Sequence, residues 1–279
     1  MSAQTVNPAG FAAAHGSAPL GEITPRAESG VLGVGGVRKW EAEGVTLYLG
    51  DSLALAPTLE GIDAVVTDPP YDMVAKGGGI GAKRKYLADI TGKLDCGFSV
   101  ESLGTFKTWM AFCAKATLVA LIQQAEKQNL RWQLITWNKT NPTPLSNGNY
   151  LPDAEYVIHA FDKLPECDFR AKSRWICGPV EQNDIPHPTV KPLYVMSRLI
   201  QTAAARGATV LDPYMGSGTT GIACLRAGRR FVGIERDPGH FATAIARIQK
   251  ELSQPEFCMG GGGGFSSENP SPAEKGHNE

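Results

Sequence analysis

From residue 38 to 252, short apolar runs take turns with stretches whose apolar positions recur at helical spacing. The run VTLYLG (45–50) predicts a strand, and DSLALAPTL after it predicts a short helix opened by an acidic cap. IDAVVT (62–67) reads as a buried strand, while residues 100–128 carry helical spacing over most of their length and are expected to be largely helical. RWQLITWN (131–138) and AEYVIHAF (154–161) predict further strands, and KPLYVMSRLIQTAAA (191–205) a helix. The last third repeats the alternation. ATVLDP (208–213) is a strand, GTTGIACLRAG (218–228) a helix closed by Gly228, RRFVGIE (229–235) a strand, and DPGHFATAIARIQKEL (237–252) a helix with proline in its first turn. Such alternation implies an α/β fold, a mostly parallel sheet covered by helices on both faces. Ligands of such sheets bind at the carboxyl ends of the strands.

At both ends the pattern stops. Residues 1–37 are rich in Ala, Gly, Ser and Pro without apolar period, and the segment from 253 contains five consecutive glycines at 260–264. Both ends are expected to be disordered, which leaves one domain at 38–252. No apolar run approaches the ~18 residues that a membrane-spanning helix needs. The N-terminus lacks a charged start followed by an apolar block, so neither a membrane segment nor a secretory signal is expected. Six cysteines are scattered without a C-x-x-C spacing or an accompanying histidine pair, which argues against a zinc site and fits reduced thiols in the cytoplasm. The net charge of -1 conceals an asymmetry. Five acidic residues and one lysine lie from Glu251 onward, so residues 1–250 carry a small basic excess, compatible with a nucleic-acid partner without demanding one.

Two stretches carry candidate chemistry. In VLDPYMGSGTTGIACLRAGRRFVGIE a strand ends in Asp212, a turn with Gly216 and Gly218 follows, a helix begins, and the next strand ends in Glu235. Glycine lets backbone approach a ligand closely, and a carboxylate at the second strand end can accept both hydroxyls of a ribose. The turn is neither G-x-G-x-x-G nor a P-loop, since no G-K-[ST] follows. Asp212 would repel a pyrophosphate and attract an ammonium or sulfonium, so a nucleoside with a cationic amino-acid tail fits better than NAD or ATP. The second stretch, TDPPYDM (67–73), places a carboxylate, two prolines and an aromatic ring where a buried strand ends. It reads either as a plain turn or as a claw for a planar, amine-bearing ring.

Three motifs, TDPPY, then HPTVKP (187–192), then LDPYMGSGTT with VGIE, occur in that order over roughly residues 38–252. Together they resemble the amino-methyltransferases of DNA that use S-adenosylmethionine, in the circularly permuted order called beta. ITWNKTNPTPLSNGNYLPDAEYVIHAF is similar to phage- and prophage-type members. The resemblance implies a Rossmann-like methyltransferase fold with a seven-stranded, mostly parallel sheet. It places Asp68, Pro69, Pro70 and Tyr71 in catalysis. The Asp68 carboxylate and the Pro69 carbonyl would accept the two N–H groups of a base amine, while Tyr71 stacks on a base flipped out of the duplex. For the cofactor it implies Asp212, Pro213, Tyr214, Gly216, Ser217, Gly218, Thr219 and Thr220 around the turn, Glu235 on the ribose and Asp51 on the adenine edge. His187, Pro188, Thr189, Lys191 and Pro192 would hold the amino-acid tail. No metal is implied.

Target recognition is expected within 72–186. There Lys76, Lys83, Arg84 and Lys85 sit in a glycine-rich loop and Lys139 opens an amide-rich one; both are candidates for contacts to double-stranded DNA, but the first reads equally well as a solvated loop and the second as a structural loop beside the site. Aspartate at 68 favours adenine-N6 over cytosine-N4 as the acceptor. Methylation of RNA or a protein amide, and non-catalytic DNA binding, stay open. The resemblance also leaves open a homodimer and a cognate restriction nuclease, and it implies action in the cytoplasm of a bacterium or a phage-infected cell.

Overall fold

The computed structural model describes residues 37–70, 98–115, 117–144, 150–165, 173–181 and 190–254. Strands β1 (Arg38–Ala42), β2 (Val45–Leu49), β3 (Ala64–Thr67), β4 (Thr108–Cys113), β5 (Arg131–Lys139), β6 (Ala154–Phe161), β7 (Trp175–Gly178), β8 (Thr209–Asp212) and β9 (Arg230–Glu235) form one sheet. Its order is β1-β2-β9-β8-β3-β4-β6-β5-β7. β6 runs antiparallel to both its neighbours and β1 antiparallel to β2; every other pairing is parallel. The expected seven-stranded, mostly parallel sheet is therefore present as the run from β2 to β5, with β6 its antiparallel member. The sheet is larger by an edge strand on each side. Neither β1 nor β7 is legible in the apolar pattern: β1 buries a single residue, Trp40, and β7 buries only Ile176.

Both faces of the central sheet are covered. β3, β4 and β8 are buried at every position, which is why they read as continuous apolar runs rather than alternating ones. Side chains nonetheless divide between two cores by parity. Val66, Met110, Phe112 and Val210 pack with helices α3 (Leu193–Ala203), α4 (Thr219–Arg226) and α5 (Pro238–Leu252). Val65, Trp109, Ala111 and Leu211 pack with α2 (Leu118–Lys127) and the short helical turn Val100–Leu103.

The expectation of helix over most of 100–128 is corrected here. Thr108–Cys113 is strand β4, and helix resumes only at Leu118. A run apolar on all sides fits a buried helix or a buried strand equally. What makes TWMAFC a strand is pairing with β3 on one edge and β6 on the other.

Because β8 leads on to β9 and β3 leads on to β4, chain order reverses between the adjacent strands β3 and β8. Sheets of this kind bind ligands at such a reversal, and Asp68 and Asp212 stand on either side of it.

Candidate active site

Four candidate segments leave the sheet at this one edge: Asp68 after β3, the glycine turn after β8, Glu235 at the end of β9, and Lys139 at the end of β5. Since β6 is antiparallel, its first residues, Ala154 and Glu155, share the edge.

Asp212 is turned inward and is 2% exposed. Its Oδ1 accepts from Thr67 Oγ1 at 2.8 Å and from Tyr214 N at 3.0 Å, and its Oδ2 accepts from Thr220 Oγ1 at 2.5 Å. One carboxylate thereby ties the end of β3, the turn and the first residues of α4 together. Burial raises the Asp212 pKa to about 6, and the nearby Asp68 charge adds to that, against the lowering effect of its donors.

The turn itself is pinned from two sides. Glu235 accepts from Gly216 N at 3.0 Å and from Asp237 N at 2.7 Å, so its carboxylate bridges the turn after β8 and the segment after β9. Arg247, from α5, donates to Ser217 O at 2.6 Å, Ser217 Oγ at 2.9 Å and Thr219 Oγ1 at 3.1 Å. Gly216 and Gly218 hold φ of +52° and +82°. A Cβ on Gly218 would also lie 3.0 Å from that of Ala244, so glycine there serves both the turn and the seating of α5. Thr219 and Thr220 open α4 as the sequence implies. The Tyr214 ring meets Phe98 edge-on, 5.7 Å between centroids. Asp51 is the N-cap of α1 (Ser52–Leu55), accepting from Leu53 N at 3.0 Å.

Asp68 faces a second set of groups. Lys191 Nζ donates to its Oδ2 at 2.5 Å and stands 3.4 Å from Glu155 Oε2, while Glu155 Oε1 pairs with Lys139 at 2.7 Å. Lys191 is 9% exposed, and its ammonium lies 4.7 Å from the Phe112 ring centroid. Burial alone would lower its pKa, but Asp68 and Glu155 outweigh that and leave it raised. Burial likewise pushes Glu155 up, and the two lysines reverse it to a net lowering. Lys139 lies over the Trp137 ring, with 15% of its side chain exposed.

Asp51, Asp68, Pro69, Pro70, Lys139, Lys191, Pro192, Asp212–Thr220 and Glu235 thus fall at or beside one edge of the sheet. Tyr71, Lys76, Lys83, Arg84, Lys85, His187, Pro188 and Thr189 lie outside the described residues. Thr67, Glu155 and Arg247 were not singled out in the sequence. Glu155 is detectable in retrospect as a carboxylate opening an apolar strand, and Arg247 as a cation on the stripe set by Phe241, Ala244 and Ile248.

A family model described as DNA methylase matches residues 62–246. Among curated proteins, the type II methyltransferase M2.LlaDCHI of Lactococcus lactis subsp. cremoris is 26% identical over 76% of this chain and 91% of its own length. M2.MboI of Moraxella bovis is 28% identical over 63% of this chain and 76% of its own length. M2.DpnII of Streptococcus pneumoniae is 34% identical over 42% of the chain, a match that spans only 50% of that relative. Among solved structures, the M1.HpyAVI–SAM complex has the same fold (TM-score 0.58, 23% identity, 73% of this chain and 98% of that one). So does the cytosine-N4-specific PvuII DNA methyltransferase (TM-score 0.55, 14% identity, 78% of this chain and 93% of that one).

Proposed function

Because the chain belongs to the N6/N4 DNA methylase family, we propose that it methylates the N6 amine of adenine in double-stranded DNA, with S-adenosylmethionine as donor and the target base flipped into the pocket formed by residues 68–71. The observation that carries this reading is the Thr67–Asp212 hydrogen bond across adjacent strand ends, which sets Asp68 beside the glycine turn.

The donor set fits the cofactor. Glu235 presents a carboxylate beside the turn, each oxygen accepting one backbone N–H and keeping a lone pair for a further donor, and Gly216 carries no side chain, so these residues with Tyr214 would hold the nucleoside. When bound, the cofactor supplies a methyl group made electrophilic by its sulfonium. Asp212 and Ser217 are buried where Glu235 is not, and they serve as braces bonded to Thr67, Thr220 and Arg247. Lys191 is committed to Asp68 and Glu155, which supports a role in orienting Asp68 rather than in holding the cofactor's tail.

An exocyclic base amine is a weak nucleophile because its lone pair is delocalised into the ring. Asp68 and the Pro69 carbonyl, accepting one N–H each, favour a pyramidal nitrogen whose lone pair is directed outward. Proline rings aim that carbonyl in advance. Catalysis is then alignment and electrostatics, without a covalent enzyme intermediate. The carboxylate favours adenine, whereas cytosine-N4 enzymes of the family more often place serine there. The relatives' designation as type II methyltransferases favours pairing with a cognate nuclease.

Purified protein with tritiated cofactor should label DNA and leave RNA and protein unlabelled. Modification mapping of DNA from expressing cells should show N6-methyladenine in one short context. Asp68→Ala should bind cofactor and lose at least ~100-fold in methyl transfer; unchanged transfer would remove Asp68 from the mechanism.

A further inference from the structure

Asp68, Lys191, Glu155 and Lys139 form an alternating chain of charges that crosses the top of β3, β4, β6 and β5. Its links are unequal. Lys191 sits closer to Asp68 (2.5 Å) than to Glu155 (3.4 Å), and Glu155 sits closer to Lys139 (2.7 Å) than to Lys191. The Phe112 face bounds the Lys191 ammonium from the sheet side. Lysine carries a compact charge on a flexible stem, so an ammonium with one carboxylate partner is poorly fixed in direction. Two carboxylates and a ring define its position.

We propose that Glu155 is a positioning residue for methyl transfer: shared with Lys139, it sets where Lys191 stands and thereby fixes the orientation of the Asp68 carboxylate toward the target amine. This rests on the reading of Asp68 as the amine acceptor. The division of Glu155 between two lysines matters to it. Without Lys139, Glu155 is drawn to Lys191 and pulls the ammonium from Asp68. Without Glu155, Lys191 keeps Asp68 but loses its second carboxylate partner.

Among the described residues, Asp68 beyond β3 and Glu155 on β6 face Lys191, with Lys139 on β5 behind Glu155 and Asp212 on β8 behind Asp68. Both carboxylates in direct contact raise the proton affinity of Lys191, so loss of the Glu155 charge lowers it.

The test is single-turnover methylation of DNA by the full chain across a range of pH, with cofactor affinity and Tm measured on each variant. Glu155→Gln should leave cofactor Kd within about twofold, slow the methylation step about tenfold or more, and move the alkaline fall in rate to lower pH. Lys139→Met should slow the same step less, and the double variant should be no slower than Glu155→Gln alone, because both act through Lys191. Glu155→Asp, which keeps the charge, should retain the wild-type pH profile; should Glu155→Gln fail to fold, Lys139→Met and Glu155→Asp decide the matter. Wild-type rate and pH profile in Glu155→Gln would overturn the proposal, as would a loss that merely follows Tm and cofactor affinity. Asp68→Ala, which removes the acceptor altogether, separates the two readings. If it remains active, the role of Asp68 is wrong. If it is inactive while Glu155→Gln is normal, only the role of Glu155 is wrong.

Discussion

At the scale of single residues, Asp212 carries the clearest physical signature. A carboxylate whose folded pKa is raised from 3.8 to about 6 favours folding in its protonated form. Its stabilising contribution is complete below pH 3.8 and is lost as pH rises through about 6. The native protein accepts this cost because the ionised group organises three donors from three segments. Asp212→Asn keeps the shape and one acceptor, and the Thr220 hydroxyl can reverse to accept from the new amide. The difference in Tm between wild type and Asp212→Asn should therefore change by several degrees between pH 4 and 6, in favour of the variant as pH rises, as thermal melts across that interval would measure. A constant difference would mean that Asp212 does not titrate there. The motif made Asp212 conspicuous in the sequence, but its inward direction was not, because which neighbours donate to it depends on β3 lying beside β8.

At the scale of elements, the glycine turn is held by a helix that follows it by a full strand. Arg226 and Glu251 join α4 to α5 through two contacts, at 2.6 and 2.9 Å. Arg247 then reaches from α5 into the turn itself. Arg247→Met should preserve the apolar stem and the fold while releasing Ser217 and Thr219. Cofactor Kd, read by calorimetry, should rise about tenfold, a change of ~1.4 kcal/mol, with Tm lowered modestly. Elements with one-sided burial, such as α3, α5 and β2, were legible because alternation or helical spacing marks the buried face. β4 was not, since burial on both faces erases the period. The edge strands β1 and β7 were invisible for the opposite reason, burying too little to leave a pattern.

At the scale of the whole molecule, all nine strands and the helices of the described residues lie between 38 and 252, and both cores close within those bounds. A protein trimmed to residues 38–252 should accordingly bind cofactor with a Kd within about twofold of the full chain and melt within a few degrees of it. Calorimetry and thermal melts on the two proteins check this, and a trimmed protein that fails to fold would refute the assignment of the domain. The amino-acid sequence by itself determined the alternation of strand and helix, the two motif segments and the chemistry of their side chains, because these depend on local period and on residue type. The tertiary structure alone decided which strands are neighbours. From that followed the Thr67–Asp212 bond, the Lys191–Asp68 pair separated by 123 positions, and the meeting of Glu155 with both lysines. Contacts between residues so far apart arise only when the sheet brings the ends of its strands to one edge, and no local pattern encodes that order.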